Sequence, residues 1–300
     1  MRKLIPVLVT SLMVIASANV SAQEVSGEDI ANQATNQLIQ SELSNLKANS
    51  DQEWLKRTDI SINMNKGFKP TYELETVQPF HLTDKDATFY QFRIANTSDL
   101  GTTTNLGFGY RTTSDDKKQL YGINLFYDRA WKQGHERVGL GTEYFIGRLE
   151  TRFNLYKGIS NEKLVDATNG VYEKVVDGMD LEIGGEVPSM PYAKLYVGGY
   201  QWNYKHTDDL NGYRVRSEIQ LTQQVNLEVG YEHDNRNSSP YAKVMYTLGD
   251  TGKATLFNNK AKPITQIDNS SKLLDKVKRE NDIRVERYTK LHGVIISLEN

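Results

Sequence analysis

The sequence predicts an all-β protein, a twelve-stranded antiparallel transmembrane β-barrel. Three observations predict it. From about residue 58 to 248 apolar residues recur with a period of two, the spacing that sends alternate side chains to opposite faces of a strand. The segments run about ten residues, longer than the five or six of soluble sheets and matched to a tilted membrane crossing. The second face carries charges beside glycines and amides, which suits a wet or packed interior.

The chain opens with a secretory signal. Arg2 and Lys3 form a positive start, Leu4 to Ala16 is nearly all apolar, and Val20-Ser21-Ala22 has the small-x-small cleavage pattern. Residues 1–22 are therefore expected to be removed. Residues 23–57 read as a periplasmic helical segment, because Ile30, Ala34 and Leu38, then Ile39, Leu43 and Leu46, recur at helical spacing over 28–56. The 300 residues hold 36 Lys plus Arg against 38 Asp plus Glu, a balance that points to no nucleic-acid partner. There are no cysteines, so an exported chain must hold together without disulfides.

Twelve strands are expected near 58–65, 70–79, 87–96, 102–112, 119–129, 136–147, 149–159, 179–187, 193–205, 212–222, 225–234 and 239–248. Tyr121, Ile123, Leu125 and Tyr127 alternate with Gly122, Asn124, Phe126 and Asp128. Val225, Leu227, Val229 and Tyr231 alternate with Asn226, Glu228, Gly230 and Glu232. Arg111, Glu143, Asp180, Glu182, Arg214 and Glu218 fall on the inferred inner face. Tyr110, Tyr127, Trp131, Tyr144, Tyr200, Trp202, Tyr204, Tyr231 and Tyr241 lie near strand ends, where interfacial girdles belong. External loops are expected near 66–69, 97–101, 130–135, 160–178, 206–211 and 235–238, with inner turns near 80–86, 113–118, 148, 188–192 and 223–224. The longest connection, 160–178, then falls outside.

Residues 249–300 leave the period-two pattern. Asp250 to Asn269 is turn-rich, Ser271 to Asp282 reads as a short charged helix capped by Ser270 or Ser271, and two β-like runs follow at 283–285 and 294–298. Some fifty residues far exceed the ~30 Å of a hydrocarbon layer, so this tail can cross a lumen.

No catalytic constellation emerges. The five histidines, at 81, 135, 206, 233 and 292, are never at metal-ligand spacing. Asp166 to Gly170 breaks the spacing of a calcium loop, and the glycine pairs at 107 and 109 and at 139 and 141 sit inside strands rather than in phosphate loops. Glu143 and Glu182 are imaginable as a catalytic pair, but inward charges line such barrels. The chain is read as a non-enzyme with no cofactor and no metal.

The stretches Asn105-Leu-Gly-Phe-Gly-Tyr-Arg111, Tyr121-Gly-Ile-Asn-Leu-Phe-Tyr-Asp128 and Arg137-Val-Gly-Leu-Gly-Thr-Glu-Tyr144 resemble the β-domain of inverse autotransporters, the intimin and invasin family. Asn154 with Tyr156, Gly178 with Asp180, Pro188-Ser-Met-Pro191, Ala193-Lys-Leu-Tyr196, Ala31 to Thr35 and Val277 to Ile283 extend the likeness over roughly 28–290. The resemblance implies a barrel in the bacterial outer membrane, N-terminus periplasmic, with a C-terminal linker threading the lumen to an extracellular end. Asn105, Gly107, Gly109, Arg111, Gly122, Asn124, Asp128, Gly139, Gly141 and Glu143 would shape the lumen, and Val277, Arg279, Asn281 and Ile283 would plug it. Implied partners are outer-membrane lipid, the barrel-assembly machinery, periplasmic chaperones and a host-cell receptor. Few residues follow the linker, so 249–300 reads as linker plus a vestigial passenger start. The reading is an anchor and translocator of an adhesin with a role in cell adhesion and virulence. The alternative is a stand-alone outer-membrane pore or plugged channel without adhesin activity.

Overall fold

Period-two alternation folds into strands that close on themselves. The computed structural model describes residues 53–64, 71–97, 100–257, 268–291 and 294–298. The expected signal peptide, residues 28–52 of the helix expected over 28–56, the 66–69 loop and part of the tail lie outside these residues, and the described end of that helix, 53–56, is a turn running into a 3-10 turn. A 3-10 turn, Leu55–Arg57, leads in.

The strands are β1 (Thr58–Met64), β2 (Thr71–Leu82), β3 (Asp86–Thr97), β4 (Gly101–Thr113), β5 (Gln119–Ala130), β6 (His135–Ile146), β7 (Leu149–Gly158), β8 (Lys163–Asp166), β9 (Val171–Val175), β10 (Asp177–Val187), β11 (Met190–Asn203), β12 (Leu210–Gln220), β13 (Val225–Asp234), β14 (Ser238–Thr247), β15 (Val285–Leu291) and β16 (Val294–Leu298). Twelve of them, β1–β7 and β10–β14, form one closed antiparallel barrel. It closes where β1 pairs with β14, from Asp59 opposite Thr247 to Met64 opposite Ala242. Closure removes every edge, the condition for a sheet to sit in lipid.

The connections sort to two rims. Short turns at 83–85, 114–118, 147–148, 188–189 and 221–224 share the rim where β1 begins, the near rim. The connections 131–134, 159–176, 204–209 and 235–237 gather at the opposite, far rim. The turn expected at 80–86 shrinks because β2 continues past Pro79 to Leu82, with a register shift between Pro79 and His81. A bulge is where a strand tolerates a residue without an N–H.

The outer face is apolar over the height of the wall. Leu106, Phe108, Ile123, Leu125, Leu140, Phe153, Leu155, Leu181, Leu195 and Val197 are all exposed, as a lipid-facing band requires. Around the near rim Phe80 packs on Tyr90 and Phe108, with centroids 5.1 and 6.1 Å apart, and Tyr121 packs on Tyr144 at 5.2 Å. Tyr127, Trp131, Tyr213 and Tyr231 are exposed toward the far rim. Three expected girdle residues belong to the interior instead. Trp202 is buried and stacks on Tyr156, the Tyr241 hydroxyl donates to Glu228, and Tyr200 faces Arg284. Each shares the parity of an inward charge, Lys194 on β11 or Lys243 on β14.

Two further expectations are corrected. The connection 160–178 contains the hairpin β8–β9, which joins β15 and β16 in a second sheet of order β16-β15-β9-β8. The 283–285 run is correspondingly replaced by a strand that starts at Val285 and reaches Leu291. The helix expected at 271–282 is absent. Only a 3-10 turn, Asn269–Lys272, forms, capped by Asp268 rather than a serine. Beyond it the backbone finds its hydrogen-bond partners on the barrel wall, so the chain satisfies its polar groups without a helix.

Candidate functional site: the lumen and the far-rim sheet

Eight strands make a barrel that side chains alone can fill. Twelve make a wider one, and here the segment 269–284 occupies the space. Its lower end is fixed at the near rim, where the Asn269 side chain donates to the carbonyls of Lys118 and Gly147 at 2.7 and 3.1 Å. Its upper end lies at the far rim, where the Arg284 carbonyl accepts from the Val176 N–H at 3.0 Å. The chain between meets the inner wall at every level.

Near the entry, Leu273 packs with Ala87, Leu120 and Phe145, and Val277 packs with Val77, Phe89 and Phe126. Leu274 touches both clusters. Arg111 donates to Glu143 at 2.6 and 2.9 Å and uses its remaining nitrogen on the carbonyls of Leu273 and Asp275. Gln91 accepts from the Val277 N–H at 2.7 Å. A planar guanidinium and a side-chain amide suit this task, because each can satisfy a wall partner and an extended backbone together.

The middle level is a charged cluster. Asp128 is fully buried and takes Arg137 at 2.8 Å and both terminal nitrogens of Arg279 at 2.8 and 2.7 Å. Asn105 donates to Asp128 and to the Asn281 carbonyl. Arg137 donates to the carbonyls of Glu280 and Asp282 at 2.8 and 3.0 Å. Arg279 also lies over the Phe126 ring, 4.3 Å from its centroid. Four further ion pairs link the segment to the wall: Lys272 to Glu150 at 2.8 Å, Lys276 to Asp59 at 2.7 Å, Lys278 to Glu218 at 2.8 Å and Glu280 to Arg214 at 3.2 Å. Above them Asp282 meets Arg93 at 3.2 Å, and Ile283 packs with Leu100, Ala130 and Val175.

Of the residues singled out by sequence, Asn105, Asp128, Arg279 and Asn281 come together in one cluster. Arg111, Glu143 and Gly122 form a second, since a Cβ at Gly122 would lie 2.7 Å from Glu143. Gly139 leaves room for Arg279, whose Nη2 lies 2.7 Å from where a Cβ would be. Gly141 leaves room for Asn124 and Asn154. Gly107 and Gly109 instead accommodate the rings of Phe126 and Phe89, and no bond joins them to the segment. Glu143 and Glu182 do not touch. The first binds Arg111, the second Arg216, and Arg152 stands between them, 3.9 Å from Glu143 and 3.2 Å from Glu182.

Sequence reasoning missed Asp59, Arg93, Gln91 and Glu150 on the wall and Lys272 and Lys276 on the segment. All four wall residues carry the inward parity of their strands, which is the signal that finds them.

At the far rim β15 pairs with β9 from Val285 opposite Val175 to Thr289 opposite Val171. Glu173 on β9 is buried between His135, 2.8 Å away, and Arg287, 2.8 and 2.6 Å away. Burial alone would raise its carboxyl, but the hydrogen bonds from His135 and Arg287 outweigh that and hold it below the usual range. Glu286 accepts from the backbone N–H of His206 at 2.6 Å and of Lys205 at 3.1 Å. Tyr288 is buried against the His206 ring, with centroids 4.1 Å apart.

Comparison with known proteins follows the same outline. The family model of the inverse autotransporter β-domain matches residues 13–281. An attaching and effacing protein homolog of Escherichia coli (strain K12) is 31% identical over 150 residues, 48% of this chain and 50% of that protein. An invasin of Yersinia enterocolitica is 25% identical over 193 residues, 63% of this chain and 20% of the invasin. The chain thus spans half or less of these relatives. A solved membrane-protein structure from work on in-meso crystallization has a TM-score of 0.61 at 19% identity, covering 77% of this chain and 99% of that one. At that identity the likeness concerns the fold alone.

Proposed function

Since the chain belongs to the inverse autotransporter β-domain family, whose barrels sit in the bacterial outer membrane, we propose that it anchors and exports the chain that follows its own lumen segment. In this reading the near rim faces the periplasm and the far rim faces outside. The N-terminal region, led by a signal peptide, stays periplasmic, and the C-terminal end is extracellular. Val277, Arg279, Asn281 and Ile283 act as the plug, and the inward wall residues around Asp128 and Arg111 shape the space it fills. Assembly relies on periplasmic chaperones and the barrel-assembly machinery, as for any outer-membrane barrel. Adhesion to a host cell is the role suggested by relatives whose names speak of attachment and invasion. The reading contains no catalytic step.

The observation that carries the proposal is the course of residues 269–291. The segment is bonded at the near rim through Asn269 and enters a sheet at the far rim through β15. The two longest described connections, 159–176 and 204–209, share the far rim and support the orientation, since bacterial barrels keep their short turns inside. An epitope fused after Asn300 tests it. Antibody labelling of intact cells is expected, and labelling only after the outer membrane is permeabilised would overturn the orientation.

A further inference from the structure

We propose that the barrel has a latent cation-selective conducting state, reached when the lumen segment withdraws. The segment 269–284 carries five cationic side chains, Lys272, Lys276, Lys278, Arg279 and Arg284, against three anionic ones, Asp275, Glu280 and Asp282. It is thus a net cationic strand. Its ion pairs with the wall are equally uneven. Four wall acids, Asp59, Asp128, Glu150 and Glu218, hold its cations, whereas two wall bases, Arg93 and Arg214, hold its anions.

Withdrawal therefore uncovers more negative than positive charge. The uncovered acids stand at two levels. Glu150 meets Lys272 and Asp59 meets Lys276, toward the near rim. Glu218, which meets Lys278, lies opposite Lys194, the partner of Glu150, and so joins this level, while Asp128 meets Arg279 further along. A wetted lumen so lined offers a cation a group of three carboxylates and then a fourth along the path, and carboxylate rings favour cations in pores by this means. A passage with low-dielectric walls and one dominant sign of charge raises the local concentration of the opposite ion. Three of the four acids keep a wall base, Asp128 with Arg137, Glu150 with Arg152 and Lys194, and Glu218 with Arg216, while Arg93 and Arg214 keep Glu73 and Glu232, so the uncovered charge at those three is partly compensated. Of the four acids, Asp59 is the most dependent on the segment, since its single ion pair is with Lys276 and its other bond is to the Thr247 hydroxyl.

The inference goes beyond anchoring and export, and surface labelling of the C-terminus is independent of it. The test uses the full chain in planar bilayers under a potassium chloride gradient. Lys276→Gln with Lys278→Gln in the segment should raise the frequency of openings several-fold. The reversal potential of those openings should lie toward the potassium equilibrium potential. Adding Asp59→Asn and Glu218→Gln on the wall should move it toward zero. Openings that favour chloride, or a reversal potential that ignores the wall substitutions, overturn the proposal, as does a lumen that stays shut when both lysines are neutralised. Heat-modifiable migration confirms that each variant is a folded barrel before it is recorded.

Discussion

The barrel and the far-rim sheet are both antiparallel, yet they are stabilised by opposite means. The barrel has no edge, and its twelve strands are almost all joined by local hairpins. Its interior is polar, and its charges are satisfied by pairs within the wall and by the segment 269–284. Among the described residues the far-rim sheet ends in β8 and β16, and it joins chain segments more than a hundred residues apart in sequence. Its seam has the β15–β9 ladder and a few side-chain anchors around Glu173, Glu286 and Tyr288. Loss of one interior charge should therefore disturb the whole barrel, whereas loss of one anchor should release the sheet and leave the barrel intact.

The largest effect is expected at Asp128. Asp128→Ala leaves Arg137 and Arg279 buried without their carboxylate, a change of about 3–5 kcal/mol for a broken buried pair. The urea midpoint for loss of heat-modifiable migration should fall markedly. A midpoint like that of the parent would show that the two arginines find other partners. Glu173→Ala should cost less, about 1–3 kcal/mol, because Arg287 is partly exposed and can be hydrated. Here proteolysis should cut near β15 while the barrel keeps its migration. Equal loss of both would remove the contrast between the two sheets.

A smaller effect should follow pH. Glu162 accepts from Lys290 and from the Tyr288 hydroxyl, and those bonds hold its carboxyl below the ordinary value. A depressed carboxyl stabilises the folded form above its unfolded pKa of about 4.3 and loses that contribution as pH falls through the lower folded value. The group is largely solvated, so the effect is at most about 1 kcal/mol. A spin label at Ile295→Cys, in a chain with no native cysteine, should gain mobility below about pH 4 and not between pH 5 and 8. The smallest effect is expected at Glu136→Gln on the outer face. Its pair with Arg129 at 2.6 Å is solvated at the rim, and the barrel midpoint should change by less than about 1 kcal/mol.

Which parts were legible in the sequence follows from the range of the forces involved. Alternation is local, so β5, with Tyr121 to Tyr127 outward and Gly122 to Asp128 inward, can be read from its own residues. The same parity places Arg111 and Glu143 inside. The tail is not legible in this way. Leu273, Leu274 and Val277 have a helical spacing, but their neighbours are wall clusters on β2, β3, β5 and β6, and those clusters fix an extended path. The far-rim sheet is harder still. The β9 run Val171 to Val175 and the β15 run from Val285 are short, and nothing within either run names its partner. Aromatic character at a strand end suggests a girdle for Trp202, while the parity of Lys194 on the same strand puts it inside.

The central claim is that residues 269–284 occupy the lumen. Gln91 on the wall holds both the N–H and the carbonyl of Val277, so Gln91→Cys with Val277→Cys places two thiols side by side within the barrel. A short bifunctional maleimide applied to isolated outer membranes should link them and shift the mobility of the unfolded band, while either single substitution should not. Absence of the link in folded, heat-modifiable protein, with both thiols open to a bulky maleimide, would show an empty lumen and contradict the account.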